Sequence, residues 1–286
     1  MEPFLTLLKT KAVYHGNEDA VIYDTMHASY NQLLEDAQKK AALLEQFPGK
    51  RIVLDGPASY RWLVNFFAIL ISGKDVLLTN FFLPKEEKLF FLKQLKPDYI
   101  LSSTTQYILR DADNEPVPNG DGKGFKKKLE FTEPEKEGNV ILLLRNADET
   151  LRETAFSTEL LMQVARKIEA NGDFKKDDRV LLLGHLYHRY FLVYGMLLPI
   201  LTDTVLCIGR GLRHMEFDTF YYHPTILPMI PGLARCLAKE GSFNEELRLL
   251  ILSEDSDEWL KEKLDALPIE VKIADSVLKE KINIHD

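Results

Sequence analysis

Arg51-Ile52-Val53-Leu54-Asp55, then the apolar run from Tyr60 to Ser72 stopped by Gly73, then Asp75-Val76-Leu77-Leu78, is the stretch that decides the fold. The first and last pieces are short β-branched and leucine runs, which suit buried strands. The middle piece is too long for a strand, and a glycine follows it where a helix needs a left-handed stop. Strand, helix and strand in that order make a βαβ unit, and a unit of this kind places its two strands parallel and side by side. Working outward, Ala20-Val21-Ile22-Tyr23 reads as a strand. Ser29-Tyr30-Asn31-Gln32 caps a helix with Leu33, Leu34, Ala37, Ala41 and Leu44 at helical spacing, which ends near Pro48-Gly49. Pro84-Lys85-Glu86-Glu87 opens a helix to about Gln94, and Tyr99-Ile100-Leu101-Ser102 follows as a strand.

The chain changes character from Asp111 to Asn139, where Pro116, Pro118, Pro134 and Gly120, Gly122 and Gly124 gather. Beyond it the alternation resumes with strands over 140–144, 179–183, 204–208, 222–226, 247–252 and 270–273, and helices over 157–171, 190–201, 230–239 and 256–267. The expected fold class is α/β, with two stacked three-layer lobes around mainly parallel sheets. The first lobe is placed at 1–110, a linker or exposed excursion at 111–139, and the second lobe at 140–286.

The chain has 286 residues, of which 45% are hydrophobic and 28% charged, a balance that excludes disordered, collagenous and disulfide-scaffold classes. With 36 basic against 44 acidic residues its net charge is −8, which opposes non-specific nucleic-acid binding. The basic triplet Lys126-Lys127-Lys128 reads as a solvated loop. No apolar run approaches the roughly 20 residues of a membrane-spanning helix, and no signal or transit peptide is suggested at the start. Cys207 and Cys236 lack paired spacing and read as buried thiols of a reducing compartment, so the cytoplasm is the expected location.

Several local phrases come in the order seen in one family. Ala20-Val21-Ile22-Tyr23 with Ser29-Tyr30-Asn31-Gln32-Leu33 looks like "A-x-x-x … T-Y-x-E-L"; Arg51 to Leu54 with Ile71-Ser72-Gly73-Lys74-Asp75-Val76 looks like "R-V-A-L … K-A-G-A-V"; Asp177 to Leu181 with His185-Leu186-Tyr187-His188 is similar to "D-x-x-L … P-L-F-H". Leu83-Pro84-Lys85-Glu86-Glu87 and Lys96 to Ser102 fall between them. The sequence thus resembles the large N-terminal domain of the adenylate-forming superfamily, the AMP-dependent synthetases and ligases that include acyl-CoA synthetases. The resemblance implies a two-lobed domain and, for an intact member, carboxylate activation by Mg·ATP.

The nucleotide motifs depart from that pattern. Where the family has T-S-G-T-T-G-x-P-K-G this chain reads Leu144-Arg145-Asn146-Ala147-Asp148-Glu149-Thr150-Leu151-Arg152-Glu153-Thr154, with no glycine between Gly138 and Gly172. A phosphate loop needs backbone N–H groups that a phosphate can approach closely, which glycine permits, and Asp148, Glu149 and Glu153 repel polyphosphate. Asn146, Asp148, Thr150 and Arg152 are the remnant of that loop, Arg152 falling at the family's lysine. "S-G-G-A" corresponds to Ser253-Glu254-Asp255-Ser256, and "Y-G-x-T-E" to Ala274-Asp275-Ser276-Val277-Leu278, with Asp275 or Glu280 as substitutes after a shift of register. The sequence stops at Asp286, before the family's ribose-binding aspartate and small C-terminal domain with its lysine.

The expectation is a truncated, degenerate acyl-CoA synthetase-like protein, a pseudoenzyme with no catalytic residues and no metal site of its own. It would bind a small carboxylic acid or acyl group, or a protein partner. His185, Tyr187, His188 and Tyr190 are the acyl-pocket candidates. His185 and His188, three apart, also have a metal-ligand spacing, but no carboxylate or thiol accompanies them closely. The alternative is an active adenylate-forming ligase that uses ATP and Mg²⁺ with a C-terminal domain supplied in trans.

Overall fold

The computed structural model of the chain describes residues 3–80, 83–104, 109–125, 128–145 and 151–276. They form two α/β units, one of the described residues within 3–17 and 30–162, the other of those within 18–29 and 163–276.

The first unit contains α1 (Phe4–His15), α2 (Tyr30–Leu44), β3 (Arg51–Asp55), α3 (Tyr60–Ile71), β4 (Asp75–Leu78), α4 (Lys85–Leu95), β5 (Tyr99–Ser102), β6 (Leu109–Asp111), β7 (Asn139–Arg145) and β8 (Leu151–Ser157). Its sheet runs β6-β5-β3-β4-β7-β8, parallel across the middle with an antiparallel strand at each edge. Val53, Leu77, Ile100 and Ile141 project to one face, against Leu92 and Leu95 of α4. Ile52, Leu54, Val76 and Leu78 are equally buried, and α3 runs against β3 and β4. Residues buried on both faces are why these strands read as continuous apolar runs rather than alternating ones.

The second unit contains β1 (Asp19–Tyr23), β2 (Met26–Ser29), β9 (Arg179–Leu182), β10 (Val205–Ile208), β11 (Ile226–Met229), β12 (Leu249–Leu252) and β13 (Glu270–Ile273), ordered β13-β12-β11-β9-β10-β1-β2. Only β2 is antiparallel to its neighbour. One face packs against α8 (Met215–Tyr222), α9 (Pro231–Glu240) and α10 (Glu258–Asp265), through Leu181, Leu227, Leu250, Leu237 and Leu260 among others. The other carries a continuous helix made of α6 (Arg189–Leu192), a π-turn (Val193–Leu197) and α7 (Leu198–Leu201). Gly195 lies so close to β9 that a Cβ there would stand 2.7 Å from a Leu182 methyl. The π-turn fits Pro199, which has no N–H to give to the carbonyl of Gly195; one residue earlier, the Leu198 N–H bonds back to Val193.

The expected class, two α/β units with mainly parallel sheets, is the one observed. Their boundaries differ from the sequence reading. Residues 18–29 leave the N-terminal part, because Val21 pairs in parallel with Leu206. Val140 to Leu142 belong to the first sheet, because they pair with Val76 to Leu78. The division falls inside α5 (Thr158–Glu169), not at 111–139. The expected strand over 222–226 is also displaced. Tyr222 ends α8, His223 adopts φ 47° as its left-handed cap, and β11 begins at Ile226. Cys207 is buried as expected, but Cys236 is exposed on α9. No described helix is long and apolar enough to cross a membrane.

Candidate functional site

In an open parallel sheet the loops leaving the carboxyl ends of the strands form the natural ligand crevice. In the second unit β9 hands over to Leu183-Gly184-His185, β12 to Ser253-Glu254-Asp255, and β13 to Ala274-Asp275. Three of the sequence-derived segments therefore meet at one end of one sheet. The backbone turns from His185 to His188, whose N–H donates to the His185 carbonyl at 2.9 Å, and α6 then starts. Gly184 is required here, since a Cβ would lie 2.2 Å from the Phe191 ring.

The four pocket candidates take different positions. His185 is half-buried and stacks on Tyr187, with ring centroids 5.4 Å apart and planes 12° from parallel. Burial lowers the pKa of His185 and raises that of the Tyr187 hydroxyl. His188 caps α6, its Nδ1 accepting the Tyr190 N–H at 3.3 Å. The rings of Phe191 and Tyr190 pack edge-on to it. Desolvation first, and then the Arg189 charge, lower its pKa, while Glu254 acts the other way. Tyr190 is 2% exposed, which gives it a structural position rather than one on an open pocket wall. Its hydroxyl donates to the Ile251 carbonyl at 2.5 Å and accepts the Met229 N–H at 3.1 Å. The hydroxyl thus sits between the carboxyl ends of β11 and β12, bridging the Met229 N–H and the Ile251 carbonyl, while the Met229 carbonyl accepts the Ser253 N–H directly at 2.9 Å.

The turn after β12 is acidic and serves α10. Asp257 caps the helix by accepting the Leu260 N–H at 3.0 Å and pairs with Arg235. Asp255 pairs with Lys261 at 2.9 Å, and this bond together with the Ser256 N–H lowers its pKa. After β13, the Asp275 N–H donates to the Tyr194 hydroxyl at 2.7 Å, and its Oδ2 accepts from Asn171 at 3.1 Å. A polar cavity of about 230 Å³ lies there, walled also by Ile251 and by the ion pair of Lys272 with Asp173. Residues 277–286, including Glu280, lie outside the described residues.

In the first unit, β7 and β8 pair in unbroken antiparallel register from Asn139 with Ser157 to Arg145 with Leu151. Only residues 146–150 join them, so Asn146, Asp148 and Thr150 lie outside the described residues. Arg152 sits on β8 opposite Leu144, exposed. Its neighbour Glu153 is bonded to Arg51 at 2.8 Å.

Comparison with curated protein sequences gives no match. Solved structures match over nearly the whole chain. The N-terminal subdomain of Klebsiella oxytoca NpsA, in complex with 3-hydroxybenzoyl-AMSN, has a TM-score of 0.78 at 14% identity, covering 96% of this chain and 73% of that one. The anthranilate CoA ligase AuaEII, in complex with anthranoyl-AMP, has a TM-score of 0.79 at 15% identity, covering 96% and 59%. The O-succinylbenzoate CoA synthetase MenE of Bacillus subtilis, in complex with AMP, has a TM-score of 0.75 at 14% identity, covering 93% and 71%. At such identities these matches establish the fold. The sequence evidence is separate: the model of the family described as AMP-binding enzyme matches residues 8–157, more than half of the chain. With the two mostly parallel sheets and the order of phrases along them, this match shows that the chain belongs to the AMP-binding enzyme family.

Proposed function

We propose that this chain is a degenerate member of that family which binds a carboxylate or acyl group, or a protein partner, and is not a competent ligase by itself. The observation that carries the reading is the β7–β8 connection. The ladder closes at Arg145 and Leu151, and the residues left to hold a triphosphate are Asn146-Ala147-Asp148-Glu149-Thr150. They include two carboxylates and no glycine. A nucleotide held in the family's manner needs backbone N–H groups in a tight nest, which L-residues form reluctantly, and the two carboxylates oppose its charge. These residues do not fit Mg·ATP in that mode. Arg152 adds one exposed cation, the kind of side chain that usually stays solvated.

The carboxylate half of the proposal rests on two features. The related folds are those of NpsA and AuaEII, solved with 3-hydroxybenzoyl-AMSN and anthranoyl-AMP. In this chain the stacked His185 and Tyr187 remain at the strand ends with partly exposed aromatic surface. The partner half is supported by α8, where Phe217, Phe220 and Tyr221 are 57%, 51% and 43% exposed, with the Arg210 guanidinium 4.5 Å from the Phe217 ring centre. Large apolar groups gathered on a surface in this way commonly mark contact sites.

Calorimetric titration with Mg·ATP, and separately with AMP, tests the proposal. The expected result is no saturable heat and no movement of Tm, since a ligand that binds only the folded state must raise Tm. Saturable ATP binding that Arg152→Ala removes would overturn it. The same thermal assay with benzoate and anthranilate tests the carboxylate half, where a Tm increase lost in His185→Ala is expected.

A further inference from the structure

A second cavity, unrelated to the family's nucleotide motifs, lies within the first unit. It has a volume of about 650 Å³ and is formed by one face of α2, one face of α3 and the turn at Asp121 to Lys123. The spacing along the helices explains the grouping. Asp36, Lys40 and Leu43 follow one another at i, i+4 and i+7 on α2, and on α3 Tyr60 precedes Val64 as Arg61 precedes Asn65, each by four.

Two of its polar groups lack what burial demands. Asn65 is 2% exposed, and its Nδ2 has no hydrogen-bond partner. The Lys40 Nζ is likewise shielded from solvent and has no hydrogen-bond partner. A buried amide N–H₂ or ammonium without an acceptor is costly, and two of them lining one cavity leave room there for a group that supplies the acceptor. The carboxylates nearby do not supply it. Asp36 accepts the Tyr60 hydroxyl at 2.9 Å, and Asp121 accepts the Lys123 N–H at 3.0 Å with its other oxygen 3.7 Å from the Lys123 Nζ. Glu35, on the same helix, pairs with Lys39 at 2.6 Å.

Both unpartnered groups are donors, so the missing ligand is an acceptor. With Glu35 counted as the partner of Lys39, the cations Lys39, Lys40, Arg61 and Lys123 still exceed the carboxylates Glu35, Asp36 and Asp121 around the cavity, in a protein whose net charge is −8. The ligand is therefore an anion. The volume exceeds the needs of an inorganic ion, and Leu43 and Val64 provide an apolar wall. We infer that the α2–α3 cavity binds a small organic oxyanion, a carboxylate or a phosphate monoester carrying an apolar group, with Lys40 and Asn65 donating to the oxyanion.

The site predicts its own pH dependence. Burial, and secondarily the Arg61 charge, bring the free Lys40 ammonium down to about 7. The charged groups that face it are Asp36 and Lys39 from α2, Arg61 from α3, and Asp121 and Lys123 from the turn; Tyr60, hydrogen-bonded to Asp36, stays neutral because burial raises its pKa. An anion favours the protonated lysine, so affinity falls by about tenfold per pH unit above 7, and binding at pH 8 takes up a proton.

The test is calorimetry of the whole chain with hexanoate and with phenyl phosphate at pH 6.5 and 8, each in two buffers of different ionisation enthalpy. Saturable binding of either probe is expected, with buffer-dependent heat at pH 8 and at least about a tenfold loss in Lys40→Met. Tighter binding of phenyl phosphate identifies a phosphate ester as the head group; tighter binding of hexanoate identifies a carboxylate. Absence of saturation by both probes at about 10 mM, or affinity unchanged in Lys40→Met, overturns the inference. If Lys40→Met does not fold, Asn65→Leu and the wild-type pH profile decide: an affinity constant from pH 6.5 to 8 also overturns it. Lys40 belongs to the first unit and His185 to the second, so failure here leaves the proposed family site untouched.

Discussion

Asp178 and Tyr190 of the second unit are as deeply buried as Asn65 of the first, with 4% and 2% of their surface exposed against 2%, yet their hydrogen bonding is opposite. Asp178 stands at the amino ends of the strands. It accepts from the Thr225 hydroxyl at 2.7 Å, the Lys175 N–H at 2.7 Å and the Arg248 guanidinium, while its carbonyl receives the Val205 N–H. One residue thus joins the starts of four strands, its carboxylate linking β9 to β11 and β12 and its backbone carbonyl reaching β10. Tyr190 does the same for β11 and β12 at their carboxyl ends. In the first unit Asn65 and Lys40 have donors and no acceptors. Burial with full partnership marks framework; what sets Lys40 and Asn65 apart from isolated unpartnered hydroxyls such as Thr79 and Thr154 is that two unmet donors line one cavity. The comparison gives a physical criterion for function at positions that no motif covers.

The largest test of it is Asp178→Ala. The buried carboxylate's bonds to Arg248, Thr225 and the Lys175 N–H are lost together, while Arg248 keeps its bond to the Asp173 carbonyl, and a loss of about 3 kcal/mol is expected, read from the urea midpoint at constant slope. The pH dependence has a definite sign. Burial alone would raise the Asp178 pKa, but Arg248, Thr225 and the Lys175 N–H hold it below the usual aspartate value. Its stabilisation is complete above the unfolded aspartate pKa of about 3.9 and disappears as pH falls through the folded value. The variant should lack that acid-side component. Next in size is Tyr190→Phe, which leaves the Ile251 carbonyl and Met229 N–H buried without a partner; a loss of about 1–3 kcal/mol is expected.

Lys40→Met sharpens the comparison from the other side, because it should stabilise the protein. Deleting a buried, unpaired donor should give about 1–2 kcal/mol at pH 7, measured in the same urea titration without added anion. Here the folded pKa, about 7, lies below that of an unfolded lysine. Between that value and about 10.4 the unfolded chain holds the extra proton, so wild-type stability rises with pH across this window. The variant should be flat there. A destabilised Lys40→Met would mean that the lysine is framework.

Much of this fold was legible along the chain, and the exceptions share one cause. β3, α3 and β4 follow from periodicity, because each is defined by neighbours in sequence. Sheet membership is not local. The alliance of Val21 with Leu206 spans most of the chain, and no property of Ala20 to Tyr23 announces it. Helix α1 went unread for the same reason. Pro3 offers no capping side chain, and the N–H groups of Phe4 and Leu5 are accepted instead by Glu137, at 3.0 and 2.6 Å. At the site, His185 and Tyr187 stack on one another, whereas the Tyr190 hydroxyl is taken up between β11 and β12, which nothing in its own stretch of sequence announces. Lys40 and Asn65 were missed altogether. Their signal was present in the four-residue spacings of α2 and α3, but a lysine on an amphipathic helix reads as solvated until the neighbouring helix is known to cover it.

The smallest expected effect belongs to His188, which lies between the two categories, exposed in part but fixed by its bond to the Tyr190 N–H. That bond needs an unprotonated Nδ1. Protonation therefore removes the cap of α6 as well as charging a ring packed by Phe191 and Tyr190, and both effects agree with its lowered pKa. The unfolded histidine takes its proton first, near pH 6.5, so stability should decline as pH falls from there through the folded value; His185, also lowered, adds to the same slope. His188→Ala should lose about 1 kcal/mol at pH 8, the usual cost of a missing N-cap. His188→Asn retains an acceptor that does not titrate, so it should keep most of that stability at pH 8 and show a shallower decline between pH 6.5 and 5. If His188→Asn declines as steeply as the wild type, the acid sensitivity resides in His185 and its stack on Tyr187. If His188→Ala costs nothing at pH 8, His188 is not framework, and its side chain becomes the first candidate for contact with an acyl ligand.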